Sequence, residues 1–168
     1  MIPFDAFYSD PHFGHERLVS SEKGTPFRPF ESLEEMHEVL IENYNGWVDE
    51  DDMVLWLGDV SFFRGGAAEK LADILGQMNG HKMLLRGNHD MRHSPQWFTR
   101  AGFTVVMDGQ IHAEYVGLPV VFSHLPYAGV RHKKGADDRH ADMRPVKRGK
   151  EILVHGHVHE PYRWQGNH

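Results

Sequence analysis

Five apolar runs in this chain end in the same way, and that recurrence restricts the fold more than any other feature of the sequence. "IPFDAFYSD" delivers Asp10 and, two residues on, His12. "MVLWLGD" stops at Gly58 and delivers Asp59, and "HKMLLRGNHD" stops at Gly87 and delivers Asn88 and His89. "LPVVFSH" delivers His124, and "EILVHGH" runs into His157 with His159 two residues beyond. Each run has the length and the β-branched or aromatic content of a short strand. In open α/β sheets the carboxyl ends of the strands lie along one edge, where ligands bind. Five strand ends bearing Asp, Asn or His are therefore expected to converge on one cleft, because independent solvated loops have no need to repeat these residue types at this register.

The segments between the runs complete an α/β pattern. "SLEEMHEVLIENYNGWV" predicts a helix with a capping box at Ser32 and Glu35, and with Leu33, Met36, Leu40, Tyr44 and Trp47 as its core stripe. A second helix is expected with Ala68, Leu71, Leu75 and Met78 on its inner face, ending in the Gly76 to Gly80 region. Ser94 and Pro95 open a third, closed by Gly102. Beyond Gly102, "FTVVMDG", "IHAEYVG" and "LPVVFSH" read as successive strands, and a long basic loop precedes "EILVHGH". Strands and helices alternate first and strands dominate later, which predicts a layered α/β domain and not a bundle.

Composition narrows the chemistry. A chain of 168 residues suits one domain, 1–168, with a real core. It holds no cysteine, which excludes disulfides, thiolate zinc sites, iron–sulfur clusters and cysteine nucleophiles. Any metal must be bound by His, Asp, Asn or Glu, and fourteen histidines favour imidazole and carboxylate sites. The amino terminus lacks a basic segment followed by an apolar stretch, and no run is long enough for a membrane span, so a cytoplasmic protein with no membrane partner is expected. The net charge of −6 hides an asymmetry: Arg131 to Lys150 carries eight Lys/Arg against three Asp. An acidic body with one basic loop suits a single phosphate-bearing ligand better than a broad duplex-binding surface.

In "ILVHGHVHEP" the histidines 155, 157 and 159 fall at every second position, so in an extended chain they share one side. By itself this spacing is compatible with one shared ion, two ions, or a solvated polar strand end.

In order, Asp10-Pro11-His12, Gly58-Asp59, Gly87-Asn88-His89-Asp90, Ser123-His124 and Gly156-His157-Val158-His159 resemble the motifs of the calcineurin-like metallophosphoesterase superfamily. More narrowly, "SDPHFGH", "RPFESLEEMHE" and "DRHADMRP" look like its small, capless bacterial and phage phosphoesterases. The resemblance implies a layered metallophosphoesterase-type α/β fold, with central mixed β-sheets flanked by helices and the active site at the strand C-terminal ends. It implies two divalent metal ions, manganese foremost, with Fe, Zn, Ni or Co also suited. One would be held by Asp10, His12, Asp59 and His159, the other by Asp59, Asn88, His124 and His157, with Asp59 bridging. It further implies attack by a metal-bridging hydroxide, with His89 as general acid and Asp90 orienting and charging it. His155 is left without a ligand role. His15, Arg86, Arg139 and Arg144 are weaker candidates for substrate contact.

The implied activity is hydrolysis of phosphate esters, first of all as a phosphodiesterase on small nucleotide-like substrates. A metal-dependent nuclease acting on nucleic acid is the alternative, and a non-catalytic metal-binding scaffold is a third reading. After Gly58-Asp59 the chain reads Val60, Ser61, Phe62, Phe63, without the Asp-Arg-Gly of the superfamily's protein Ser/Thr phosphatases, which argues against that activity. It also stops soon after the last motif, where relatives continue into closing strands, so a sheet edge without its closing strands is expected.

Overall fold

The computed structural model describes residues 3–19, 28–64, 68–128 and 140–158. Among them run β1 (Ala6–Tyr8), α1 (Leu33–Asn45), β2 (Met53–Trp56), α2 (Ala68–Leu75), β3 (His81–Leu85), α3 (Pro95–Ala101), β4 (Val105–Met107), β5 (Gln110–Tyr115), β6 (Leu118–Ser123) and β7 (Ile152–His155). The first four strands form a wholly parallel sheet in the order β1-β2-β3-β4. The last three form a second sheet, with β5 and β6 antiparallel and β7 parallel to β6. This is the expected mixed α/β fold, realised as two sheets in separate layers.

The continuous apolar runs follow from burial on both faces, as parallel strands require. Successive side chains of a strand point to opposite faces. Val54, Trp56 and Leu84 thus face α1, α2 and α3 and pack with Tyr44, Leu71, Leu75, Trp97 and Phe98. Leu55, Leu57 and Leu85 face the second sheet and meet Val120 and Phe122. The first sheet is therefore a filling between helices on one side and the second sheet on the other, and its strand ends are held at one level.

Local signals are mostly obeyed. Ser32 Oγ accepts from the Glu35 N–H at 3.0 Å, and the Glu35 carboxylate reaches back to the Glu31 N–H at 2.6 Å, one residue earlier than a standard capping box. Ala68, Leu71, Leu75 and Met78 are all buried. Trp47 is a correction: it is 89% exposed, not core. The helix ends at Asn45, the chain turns at Gly46, and Tyr44 and Val48 supply the buried contacts instead. Helical spacing carried past the real helix end puts a residue on the wrong side.

Phe122 closes the layer between the sheets and lies against the rings of Phe4 and Phe7. Phe122→Ala is expected to cost about 3–5 kcal/mol in denaturant unfolding, and Trp47→Ala less than about 0.5 kcal/mol. Similar costs for both would contradict this packing.

Candidate metal centre

The residues that end the strands converge as the sequence pattern requires. Two groups of ligand atoms form, each within 4.8 Å: Asp10, His12 and Asp59, and Asp59, His124 and His157. Asp59 belongs to both. Its Oδ2 lies 3.3 Å from His124 Nε2, 4.0 Å from His12 Nε2 and 3.9 Å from His89 Nε2. His12 Nε2 is also 3.6 Å from Asp10 Oδ1, and Asn88 Oδ1 is 3.0 Å from His124 Nε2. His159 and Arg139 lie outside the described residues.

The two sheets are sewn together at this edge. His124, after β6, places Nδ1 2.6 Å from the carbonyl of Leu57, after β2. The His157 N–H, after β7, donates to Asp10 Oδ2 at 2.9 Å, and Ser9 Oγ donates to the same oxygen. Asp10, His12, Asp59 and His157 all adopt positive φ, between 53° and 68°. Non-glycine residues in this region are strained by about 1–3 kcal/mol each, and such strain concentrates at functional sites. Two glycines let backbone come close. A side chain at Gly87 would run into the Asp59 carboxylate, and one at Gly156 into Ser9 and Asp10.

The donor set fits divalent cations. Because His124 Nδ1 faces a carbonyl it must donate, which leaves a lone pair at Nε2. That lone pair points at two further acceptors, Asn88 Oδ1 and Asp59 Oδ2. Three converging acceptors are stable only around a proton or a cation. The titration behaviour says the same. Burial opposes charge on His124, yet the Asp59 carboxylate raises its pKa, and burial opposes charge on Asp59, yet His124 and the His89 N–H hold its pKa low. His157 is held down to about 4, first by burial and then by His124, so its ring is neutral and able to ligate at neutral pH.

Two of the candidate residues are engaged by other partners. Asp90 does not meet the His89 ring. It is fully buried, and its oxygens accept from the N–H groups of Asp59 (2.7 Å), Val60 (3.0 Å) and Gly87 (2.8 Å). The strand-end loops leave three backbone donors pointing inward, and the carboxylate goes to them. Burial and the neighbouring Asp59 push its pKa up to about 7 against these bonds. Arg86 is likewise engaged within the fold, at the wall of the neighbouring cavity. It makes a two-pronged pair with Asp108, both contacts at 2.6 Å, and a third bond to the His93 carbonyl.

Arg144 is buried and donates to the Pro126 carbonyl, and its charge helps keep His157 neutral. His15 stacks on Phe62 with ring centres 3.8 Å apart, and burial foremost holds it down to about 4. A cavity of about 400 Å³ opens beside His124, walled by Met91, Leu125, Met143 and the Arg86–Asp108 pair.

Sequence reasoning missed the clamps on the first loop. Arg28 donates to the carbonyls of Asp10 and Pro11, both at 2.7 Å, and touches Met36 Sδ. His37 Nε2 accepts from the Gly14 N–H at 3.0 Å. The signal was present, since Arg28, Met36 and His37 all lie within "RPFESLEEMHE", but nothing in that stretch shows what it grips.

Comparison with known proteins agrees with this geometry. The family profile for calcineurin-like phosphoesterases matches residues 6–166. The gene 66 protein of Mycobacterium phage L5 is 30% identical over 92% of this chain and 77% of its own length. An uncharacterised protein of Methanocaldococcus jannaschii is 38% identical over 49% of this chain, which spans 44% of that relative. Among solved structures, a protein of unknown function from Aquifex aeolicus superposes with a TM-score of 0.63 at 24% identity, covering 93% of this chain and 81% of its own. Pseudomonas putida nuclease MPE gives 0.50 at 18% identity, with 92% of this chain and 60% of the nuclease covered.

Asp90→Asn replaces one of the two accepting oxygens with an NH2 donor that faces backbone N–H groups, and is expected to destabilise the fold by about 2 kcal/mol in urea unfolding. A second expectation concerns acid. The folded His15 titrates near 4 and the unfolded one near the ordinary 6.5. The folded chain therefore binds fewer protons in that window, and this contribution to stability, complete above pH 6.5, is lost as pH falls toward 4. In EDTA, the drop in unfolding free energy from pH 7 to pH 5 should be smaller for His15→Phe, which keeps the stacking, than for wild type. Equal drops would rule the contribution out.

Proposed function

Because the chain belongs to the calcineurin-like phosphoesterase family, whose members are metal-dependent hydrolases of phosphate esters, we propose that it is a phosphodiesterase on nucleotide-like substrates, working at a dinuclear centre shared through Asp59. The observation that carries the reading is that Asp59 belongs to both ligand groups. A carboxylate has two oxygens and one negative charge, and so can bind two cations while offsetting their repulsion. In this reading His159 joins Asp10 and His12 in one group, and Asn88 joins His124 and His157 in the other.

Divalent ions held by these residues, with manganese the first to test, would supply Lewis-acid charge to lower the pKa of a bound water and neutralise phosphoryl charge. The chain does the rest. Asn88, a neutral ligand, leaves the centre with net positive charge for an anionic ester. Leu57 and Asp10 fix His124 and the His157 backbone, so the ligands are oriented before substrate arrives. His89 stands at the rim with its side chain 34% exposed, where a leaving oxygen approaching from solvent meets its Nε2. The cavity beside His124, with Met91, Leu125 and Met143 on one part of its wall and the Arg86–Asp108 pair on another, accommodates the organic part of the ester.

A nuclease is the second reading. Exposed Lys147, Arg148 and Lys150 lie in the segment leading to β7, suited to a phosphate backbone, and a solved structure of similar fold is named a nuclease.

The test is to assay the manganese-loaded protein on bis-p-nitrophenyl phosphate, p-nitrophenyl phosphate, 2′,3′-cyclic nucleotides and single-stranded DNA. Metal-dependent turnover of the diesters is expected, with kcat lowered about a hundredfold or more in Asp59→Asn. Calorimetry should find two ions per wild-type chain and weaker binding at both positions in that variant. No metal-dependent turnover of any ester would end the enzyme reading, and cleavage of DNA alone would leave the nuclease.

A further inference from the structure

Arg92 belongs to none of the five motifs, yet it sits on the back of His89. The chain passes from His89 through a short 3-10 turn, Asp90–Arg92, which returns the Arg92 side chain to the ring. Its Nη2 lies 3.3 Å from His89 Nδ1. A guanidinium has only N–H groups to offer and does not give up its charge at any ordinary pH. The contact is a hydrogen bond only if Nδ1 presents its lone pair. The ring proton then resides on Nε2, the nitrogen that faces the shared carboxylate of Asp59 at 3.9 Å.

Arg92 is itself held. Its guanidinium lies over the Phe62 ring, 5.3 Å from the centroid, a favourable cation–π placement. The same ring is 4.6 Å from His89 and stacked on His15. Phe62 occupies the stretch after Gly58-Asp59 where the chain departs from the protein phosphatases. The Phe62 ring, tilted 46° to the imidazole, and the Arg92 guanidinium thus meet His89 from two sides, and Phe62 also lies under Arg92.

We infer that Arg92 is a positioning residue for His89: it holds Nδ1 as an acceptor, and so presents an Nε2–H to the centre. The inference rests on the proposed role of His89 at the leaving oxygen. It adds that the oxygen receives a hydrogen bond from Nε2–H as its negative charge develops, as a neutral imidazole is able to give, while the departing alkoxide takes its proton from solvent water. With Nδ1 free of its guanidinium partner, the ring can turn over or carry its proton on the other nitrogen, and the donor facing the centre is lost part of the time.

Nitrogen-15 NMR of the metal-free protein decides this, with the His89 signals assigned by their loss in His89→Gln. Wild type is expected to show Nδ1 as an unprotonated acceptor and Nε2 as a protonated donor. In Arg92→Ala both resonances should move toward exchange-averaged positions, and in Phe62→Leu they should move the same way by less. A wild-type ring protonated on Nδ1, or an Arg92→Ala spectrum identical to wild type, overturns the inference. With manganese bound, Arg92→Ala should lower kcat about tenfold on a dinucleotide with its poor alkoxide leaving group, equivalent to about 1.4 kcal/mol. KM should stay within about twofold, and the loss on bis-p-nitrophenyl phosphate should be much smaller. Equal losses on both substrates would also overturn it. Should wild type hydrolyse no ester at all, the proposed function fails, while the NMR result still decides the role of Arg92.

Discussion

The buried carboxylate of Asp90 accepts from the backbone N–H groups of Asp59, Val60 and Gly87, and through them it ties together the loops that leave β2 and β3. Those loops carry Asp59, Asn88 and His89, so the geometry of the centre follows from this one group of bonds. A buried N–H left without a partner is costly. One acceptor group shared by three donors makes the loops cooperative, because moving the Asp90 side chain would leave all three N–H groups unsatisfied at once. The Asp59 side chain is then locked from a second direction, with Oδ1 taking the His89 N–H at 2.9 Å.

On that base the structure can hold conformations that each residue alone would avoid. Four candidate ligand positions sit at positive φ, an arrangement that persists only where the surroundings over-determine it. Asp10 is constrained by the Arg28 guanidinium on its carbonyl, Ser9 on its carboxylate, and its own N–H on the Gly58 carbonyl. His12 follows with its N–H on the Asp59 carbonyl, and Phe13 buries its ring completely beneath. The loop is thus stitched to β2 by backbone and to α1 by Arg28, Met36 and His37. Folding and site assembly are one event here, because the contacts that satisfy the loop backbone are the same ones that aim the ligands.

Legibility in the sequence tracked how local each cause was. Strands ending just before Gly58 and Gly87, the start of α3 at Pro95 and the inner face of α2 follow from residues within a few positions of one another. The ordered motifs likewise identified the residues that meet around Asp59. What was not legible depended on partners distant in sequence or in unanticipated directions. Trp47 left the core because the helix ended before it. Arg86 found Asp108 twenty-two residues on. Asp90 pointed at buried backbone instead of at the adjacent ring.

By itself, the sequence determined that an α/β chain without cysteine would bring Asp, Asn and His to one sheet edge, since strand polarity and side-chain alternation are local properties repeated five times. Only the tertiary structure decided how the histidines 155 and 157 divide their work. The β7 register sets His155 opposite Ser123, with its ring turned to the Gly156 carbonyl. The left-handed turn at His157 brings that ring to His124 and its N–H to Asp10. The physical reason is range. Spacing along a strand specifies which residues share a side, whereas the two groups that meet at Asp59 draw on the ends of β1, β2, β6 and β7, and their distances exist only after two sheets have packed.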